Sequence, residues 1–198
     1  MNLVNETPFR VVFGVFWTLF YVVRIYFLVK AKGAKISFTI HEKRDTLFAY
    51  IFGYSGISMF VYVVSTWFDF GHVPLPGWVR YLFGGGILIA YLILFSWSHH
   101  ALGRNWSGFL DIHQDHSLVT SGPYRYVRHP MYSSWFLSSI GYFLLSANWF
   151  IATIYFAPLT LMYLYRVPLE ERMMIENFGD PYREYMKNTG RLLPRLRM

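Results

Sequence analysis

Along this chain the apolar positions do not alternate with polar ones; they gather into long runs set apart by short charged segments. Crossing a bilayer core of about 30 Å takes roughly 20 helical residues, and five runs suit that task. They are Val11 to Val29, Thr46 to Phe68, Val79 to Ser98, Met131 to Leu145 and Trp149 to Tyr165. Arg24 interrupts the first run, near enough to one end for its long stem to carry the guanidinium to the interface. This first run exceeds the roughly 7–15 apolar residues of a signal peptide and lacks a small-residue cleavage site, so it is read as a span. A Pro-rich turn, Val73-Pro74-Leu75-Pro76-Gly77, precedes the third run. Gly84-Gly85-Gly86 then follows no strand that would make it a phosphate cradle, and reads as close helix packing. Only Ser146, Ala147 and Asn148 separate the last two runs, which predicts an antiparallel helical hairpin.

Composition narrows the class. The chain is 55% apolar and 15% charged, whereas soluble domains run about 45–50% apolar and 25% charged, so too little polar material is present to wrap a soluble core. Its 198 residues suit one domain. With no cysteine, disulfides, thiolate zinc sites and a cysteine nucleophile are excluded. The formal charge of +7 could suggest nucleic acid, but the charges punctuate apolar runs instead of forming a basic surface. They point to membrane lipid and away from nucleic acid. Fifteen Lys and Arg lie in the first and third connections and the tail, against Arg10 and Arg80 alone on the other side. That asymmetry predicts an outer N-terminus and a cytoplasmic C-terminus, in keeping with an odd number of spans.

Candidate chemistry collects on the predicted cytoplasmic side, where six of the seven histidines fall. The connection from His99 to Pro130 is long for a link between helices, and such ordered loops are often functional. His113 and His116 stand three apart, but no compact set of further ligands completes a metal site, so none is expected. Ser121-Gly122-Pro123-Tyr124 is a turn signal, and Pro130 suits the first position of a helix. In the tail, Arg166 and Glu170 share a helical face at four-residue spacing, which by itself is an ordinary ion pair. Glu171, Arg172 and Glu176 read as solvated face. Phe178-Gly179-Asp180-Pro181 breaks the helix, and Tyr182 with Tyr185 resumes an amphipathic turn able to cover a site.

Taken in order, Gly-Pro-Tyr, Arg-His-Pro-Met-Tyr, an apolar hairpin, Arg-x-x-x-Glu-Glu, Phe-Gly-Asp-Pro-Tyr-x-x-Tyr and a terminal Leu-Pro resemble the isoprenylcysteine carboxyl methyltransferase family. The resemblance covers about residues 113 to 194. It implies an all-α, multi-pass membrane enzyme with five transmembrane helices that uses S-adenosylmethionine, enclosed between the cytoplasmic loop and a helical tail. Residues 1–198 would form one integral-membrane methyltransferase domain. Helices 1 to 3 and the start of the loop would lie in 1–110, and the catalytic and cofactor-binding region in 111–198.

Position by position, the resemblance makes His113, His116, Ser117, Leu118 and Val119 cofactor contacts, Tyr124 an adenosine-side contact, and His129, Pro130, Met131 and Tyr132 the cofactor-binding helix start. Arg166 would face the methyl acceptor and Glu170 would ligate the cofactor, the two forming the catalytic pair. The implied acceptor is the carboxylate of an isoprenyl cysteine, on a lipidated small molecule or a prenylated protein C-terminus. A carboxylate is already ionised near neutral pH and needs no general base, only a cation to orient it. The alternative is methylation of a phospholipid amine, which first requires deprotonation. A sterol-type reductase and a non-catalytic scaffold are the remaining classes.

Overall fold

The computed structural model describes residues 6–31, 36–40, 43–105, 110–113 and 117–195. Helix α1 is Thr7–Ala31, α2 is Lys43–Val64, α3 is Gly77–Leu102, α4 is Pro130–Ser146, α5 is Trp149–Phe178 and α6 is Asp180–Asn188. Four of the five predicted apolar runs lie wholly on helices, and the second overruns α2 by Ser65 to Phe68. Three segments, Thr7–Lys30, Gly77–Leu102 and Trp149–Phe178, are long and apolar enough to cross a bilayer. Helix α4, with 17 residues, rises only about 25 Å.

The expectation of purely helical structure needs one correction. Strands β1 (Ile36–Ile40) and β2 (Leu110–His113) pair antiparallel, with Ile40 opposite Leu110 and Ile36 opposite His113. Both segments alternate apolar and polar residues at the strand period. Their pairing joins the first connection to the third, a long-range contact that local pattern cannot announce.

The five long helices alternate in direction. Arg10 near the start of α1 donates to the carbonyls of Tyr62 and Ser65 at the end of α2. Arg80 at the start of α3 donates to Leu145 O at 3.0 Å and Ser146 O at 3.2 Å, the last carbonyls of α4. Those carbonyls have no partner inside their own helix, so the guanidinium closes an end that would otherwise be bare. Arg10 and Arg80 are thus buried structural cations, paired with Asp69 and with Glu6. The hairpin between α4 and α5 forms as expected: Ala147 is left-handed, and the Asn148 side chain caps α5 by accepting from Phe150 N and Ile151 N, both at 3.0 Å.

Side-chain distribution is that of a bundle in lipid. Val11, Val15, Val22, Ile25 and Val29 of α1 are each more than half exposed, a continuous apolar stripe that water would not tolerate on a monomer. Phe13, Tyr62, Leu88, Tyr91, Phe95 and Leu145 fill the interior. Pro158 inside α5 cannot donate to Ile154 O, and Ser55 of α2 supplies a hydrogen bond to that carbonyl at 3.1 Å.

The glycine triplet divides by function. A Cβ on Gly84 would lie 2.7 Å from Leu145 N, and one on Gly141 would lie 2.8 Å from Leu88 Cγ, so α3 and α4 meet backbone to backbone. A π-helical segment, Arg80–Gly85, accompanies this approach. Around Gly85 and Gly86 a Cβ would meet nothing within 4 Å. Gly84→Ala is therefore expected to destabilise the bundle by about 1–3 kcal/mol through overpacking, while Gly85→Ala is neutral or gains up to about 1 kcal/mol of helix propensity. Thermal unfolding of both variants in one detergent checks the contrast, and equal effects would refute it.

Candidate active site

The end of the bundle opposite the Arg10 and Arg80 clasps gathers four segments: the loop before α4, the first turn of α4, the last third of α5 and the tail. Pro130 occupies the first turn of α4 and bars His129 from helical geometry, leaving it at φ −126° and ψ 60°. Tail residues run beside it. Arg128 N donates to Gly190 O at 2.8 Å, His129 N donates to Arg191 O at 3.1 Å, and Ser133 Oγ donates to Leu192 O at 2.7 Å. Gly190 is needed for this path, because a Cβ there would sit 1.8 Å from Leu193 O.

Glu171 is the centre of the clasp. Its Oε1 accepts from Arg128 Nε at 3.0 Å and from Arg191 Nε at 3.2 Å, and lies 3.2 Å from His129 Nε2; its Oε2 accepts from Arg191 Nη2. Arg128 also donates through Nη1 to the carbonyls of Met186 and Thr189, closing the C-terminal end of α6. The expectation that Glu171 is solvated is corrected: it is only 4% exposed. Four residues earlier on the same helix, Val167 is fully buried, and that spacing was the available signal. Arg191, Arg128 and Glu171 are the residues sequence reasoning passed over. Arg172 and Glu176 are exposed as expected.

Beside the clasp lies a second, less saturated group. Tyr132 donates to Glu170 Oε1 at 2.8 Å, His129 Nδ1 lies 3.5 Å from Glu170 Oε2, and Arg166 Nε lies 3.6 Å from Oε1. His129, Tyr132, Arg166 and Glu170 thus come together from two helices. Arg166 Nε is buried and finds no hydrogen-bond partner among the described residues. Burial alone would push the His129 imidazole down, but hydrogen bonds and attraction from Glu170 and Glu171 outweigh it and hold it above its ordinary value. An imidazole facing a carboxylate at each nitrogen is suited to be a double donor.

The remaining predicted contacts are distributed around this group. Tyr124 is buried, and its carbonyl accepts from Tyr185 of α6 at 2.6 Å, so the tail does cover the loop. Pro130 is buried and Met131 half-buried. Ser117 is exposed and tied to the end of α3 by Asn105, which accepts from Ser117 N at 3.1 Å. Leu118 and Val119 are half-buried. His113 ends β2, and His116 lies outside the described residues.

Comparison with known proteins finds the family that the motifs resemble. Residues 84–176 match the isoprenylcysteine carboxyl methyltransferase (ICMT) family. The protein-S-isoprenylcysteine O-methyltransferase of Schizosaccharomyces pombe is 38% identical over 82 residues, covering 41% of this chain and 34% of that protein. The human protein of the same name is 38% identical over 79 residues, covering 40% and 28%. Methanethiol S-methyltransferase of Pseudomonas deceptionensis is equally similar, 38% identical over 84 residues, covering 42% and 30%. The matched segment spans about a third of the length of these relatives. In fold, the chain is similar to the solved structure of the eukaryotic intramembrane Ras methyltransferase ICMT, with a TM-score of 0.56 and 24% identity over 78% of this chain and 53% of that one. With its three long apolar helices, this fold makes the chain an integral membrane protein.

The raised His129 pKa has a sign. Stability from the imidazolium is fully present below about pH 6.5, the unfolded value, and is lost as pH rises through the higher folded value. His129→Gln should therefore lower the melting temperature most at mildly acidic pH, with the deficit, about 1.5–3 kcal/mol for a charge-assisted hydrogen bond, shrinking as pH rises. A deficit that grows with pH would contradict it.

Proposed function

From this family resemblance we propose that the chain is an integral-membrane methyltransferase. It would move a methyl group from S-adenosylmethionine to the carboxylate of an isoprenyl cysteine at the cytoplasmic membrane face. The observation that carries the reading is the meeting of Arg166, whose buried Nε makes no hydrogen bond among the described residues, with Glu170 at an ion-pair distance of 3.6 Å at the inner mouth of α5. The cation would take an anionic acceptor, and the anion beside it a cationic donor. The donor fits this chemistry, since it carries an ammonium, ribose hydroxyls and a sulfonium that supplies the methyl group.

The chain's own residues divide the work. Glu170 would hold the ammonium or the ribose hydroxyls, kept in place by the Tyr132 hydroxyl and the His129 imidazolium. Buried Tyr124 and half-buried Leu118 and Val119 would line the adenosine side with Ser117; His113, His116, Pro130 and Met131 complete the set by resemblance. Arg166 would orient the acceptor carboxylate, and the fork of a guanidinium matches both oxygens. In-line displacement then depends on alignment and exclusion of water, which the docked tail provides. We assign all five long helices to the membrane, with the lipid tail of a prenylated protein or small molecule entering from the bilayer between them.

Two other acceptors follow from the chemistry of the family, a phospholipid amine and a small thiol, the latter suggested by the methanethiol enzyme among the relatives. Both would have to lose a proton before attack. In the cluster the two carboxylates raise the proton affinity of the His129 imidazole, and Glu171 is saturated by its arginines. A carboxylate acceptor, which needs no base, fits best.

Tritiated methyl transfer into membranes, followed by base treatment, tests the acceptor: a methyl ester releases methanol, whereas methylamines and thioethers do not. With purified protein, Arg166→Ala should chiefly impair acceptor use and turnover, and Glu170→Ala should chiefly weaken binding of S-adenosylhomocysteine. Each effect is expected at about tenfold to a hundredfold, the range of a lost charge-assisted hydrogen bond. Glu171→Gln should instead lower thermal stability and loosen the tail. Equal cofactor defects in Arg166→Ala and Glu170→Ala would refute the division of roles.

A further inference from the structure

The connection between α2 and α3 carries large rings outward. Trp67 and Phe70 within it, Trp78 in the first turn of α3 and Trp149 at the start of α5 are each half exposed or more. Charge is withdrawn from the same stretch: between Ser65 and Trp78 the one carboxylate is Asp69, and it is paired with Arg10. A loop that faces water shows the reverse arrangement, with polar groups out and large rings turned in. The segment is also pinned. Asp69 N donates to Thr66 O, Gly71 N to Phe68 O and His72 N to Asp69 O, each at 3.1 Å, and Val73 N reaches Ala147 O at 2.7 Å. Pro74 and Pro76 have no amide to satisfy. Asn148 donates through Nδ2 to Phe68 O at 2.6 Å, and the Phe70 ring packs on Phe150 at 4.8 Å, so the connection lies across the tip of the α4–α5 hairpin.

Two apolar spans start beside these rings. Gly77–Leu102 and Trp149–Phe178 are long and apolar enough to cross a bilayer, and Trp78 and Trp149 stand in their first turns. Helix α4 rises only about 25 Å, short of a core of roughly 30 Å, so the tip of its hairpin needs cover at a level where lipid is the neighbour. Irregular backbone at that level persists when its polar groups are met within the protein, a condition the hydrogen bonds above serve. Tryptophan concentrates where its ring meets acyl chains and its indole N–H meets headgroups. We propose that the α2–α3 connection and Trp149 form a lipid-binding surface lying in the plane of the membrane. Trp67, Phe70, Trp78 and Trp149 sit among the headgroups and upper acyl chains of the leaflet on the Arg10 and Arg80 side. The occupant is the bilayer interface, because the patch continues into the lipid-facing flank of α3: Trp78 meets the exposed Phe83 ring at 6.1 Å, and Tyr81 and Leu82 are exposed beside it. This surface is independent of the methyltransferase reading.

The chain has no cysteine, so each introduced cysteine carries a nitroxide label at one site, and the test reads label depth in the full-length protein in phosphatidylcholine nanodiscs. Thr66→Cys, Phe70→Cys and Pro74→Cys place labels on the connection. Leu82→Cys on the exposed face of α3 and Lys187→Cys on the exposed face of α6 are the lipid and water references. Collision with oxygen, which favours lipid, is compared with collision with a nickel chelate, which stays in water. The three labels are expected between the two references, within about 5–10 Å of the headgroup boundary, with oxygen the stronger collider. Thr66→Cys and Pro74→Cys leave all four aromatic rings in place, and a melting temperature near wild type verifies their fold. Labels as open to nickel as the one on Lys187→Cys would mean a water-facing loop and overturn the inference. Labels shielded from both colliders would mean a protein cover, such as a second copy of the chain, and overturn it as well.

Discussion

A carboxylate taken out of water is tolerated only when its lone pairs all find donors, and Glu171 meets that condition by drawing on three parts of the chain at once. Arg128 and His129 come from the loop before α4, Arg191 from the tail, and the carboxylate itself from α5. Because the donors come from the loop and from the tail, both apart from the acid's own helix, the ion cluster also fixes geometry. It sets the entry of α4, threads the tail along residues 127–129, and aims the neighbouring Glu170 toward Tyr132 and Arg166. Adjacent acids on one helix thereby take different roles. Glu171 is engaged by two arginines and His129, whereas Glu170 accepts from Tyr132 with His129 and Arg166 at ion-pair distance.

The opposite end of the bundle solves the same electrostatic problem without leaving anything over. Glu6 receives both Arg80 nitrogens, at 2.8 and 2.7 Å, while the guanidinium also lies 3.4 Å above the Phe9 ring and caps α4. Arg10 is similarly consumed by Asp69, the end of α2 and the Tyr62 ring. Here the ionic donors and acceptors match, and the result is a rigid lid on the helices. At the other end, by contrast, Arg128, Arg166 and Arg191 face Glu170 and Glu171, so the guanidiniums outnumber the acids.

Between the ends, packing rather than charge decides spacing. Buried serines of α4 return their hydroxyls to their own helix, Ser134 to Met131 O at 2.6 Å and Ser138 to Trp135 O at 2.7 Å. They fill space as small residues without exposing an unpaired polar group. Together with Gly84 and Gly141 they let α3 and α4 approach closely, which brings the Phe95 and Trp135 rings under the Glu170 group.

Much of this was legible along the chain. The helices follow from apolar runs of bilayer length, the hairpin from Asn148 and its neighbours, the break at Gly179 from a positive φ of 60° that glycine adopts without strain. The pairing of Arg166 with Glu170 follows from four-residue spacing. These are local properties, fixed by a few adjacent residues and the helical period. Three other features depend on residues far apart in sequence: the β1–β2 ribbon, the burial of Glu171 and the docking of Arg191. Neither hydropathy nor spacing distinguishes a charge that faces water from one that faces three donors, because the difference lies in which other segment arrives beside it. Only the tertiary fold, by closing the tail over α4 and setting α1 against α3, decides which charges are buried and which are spent on one another.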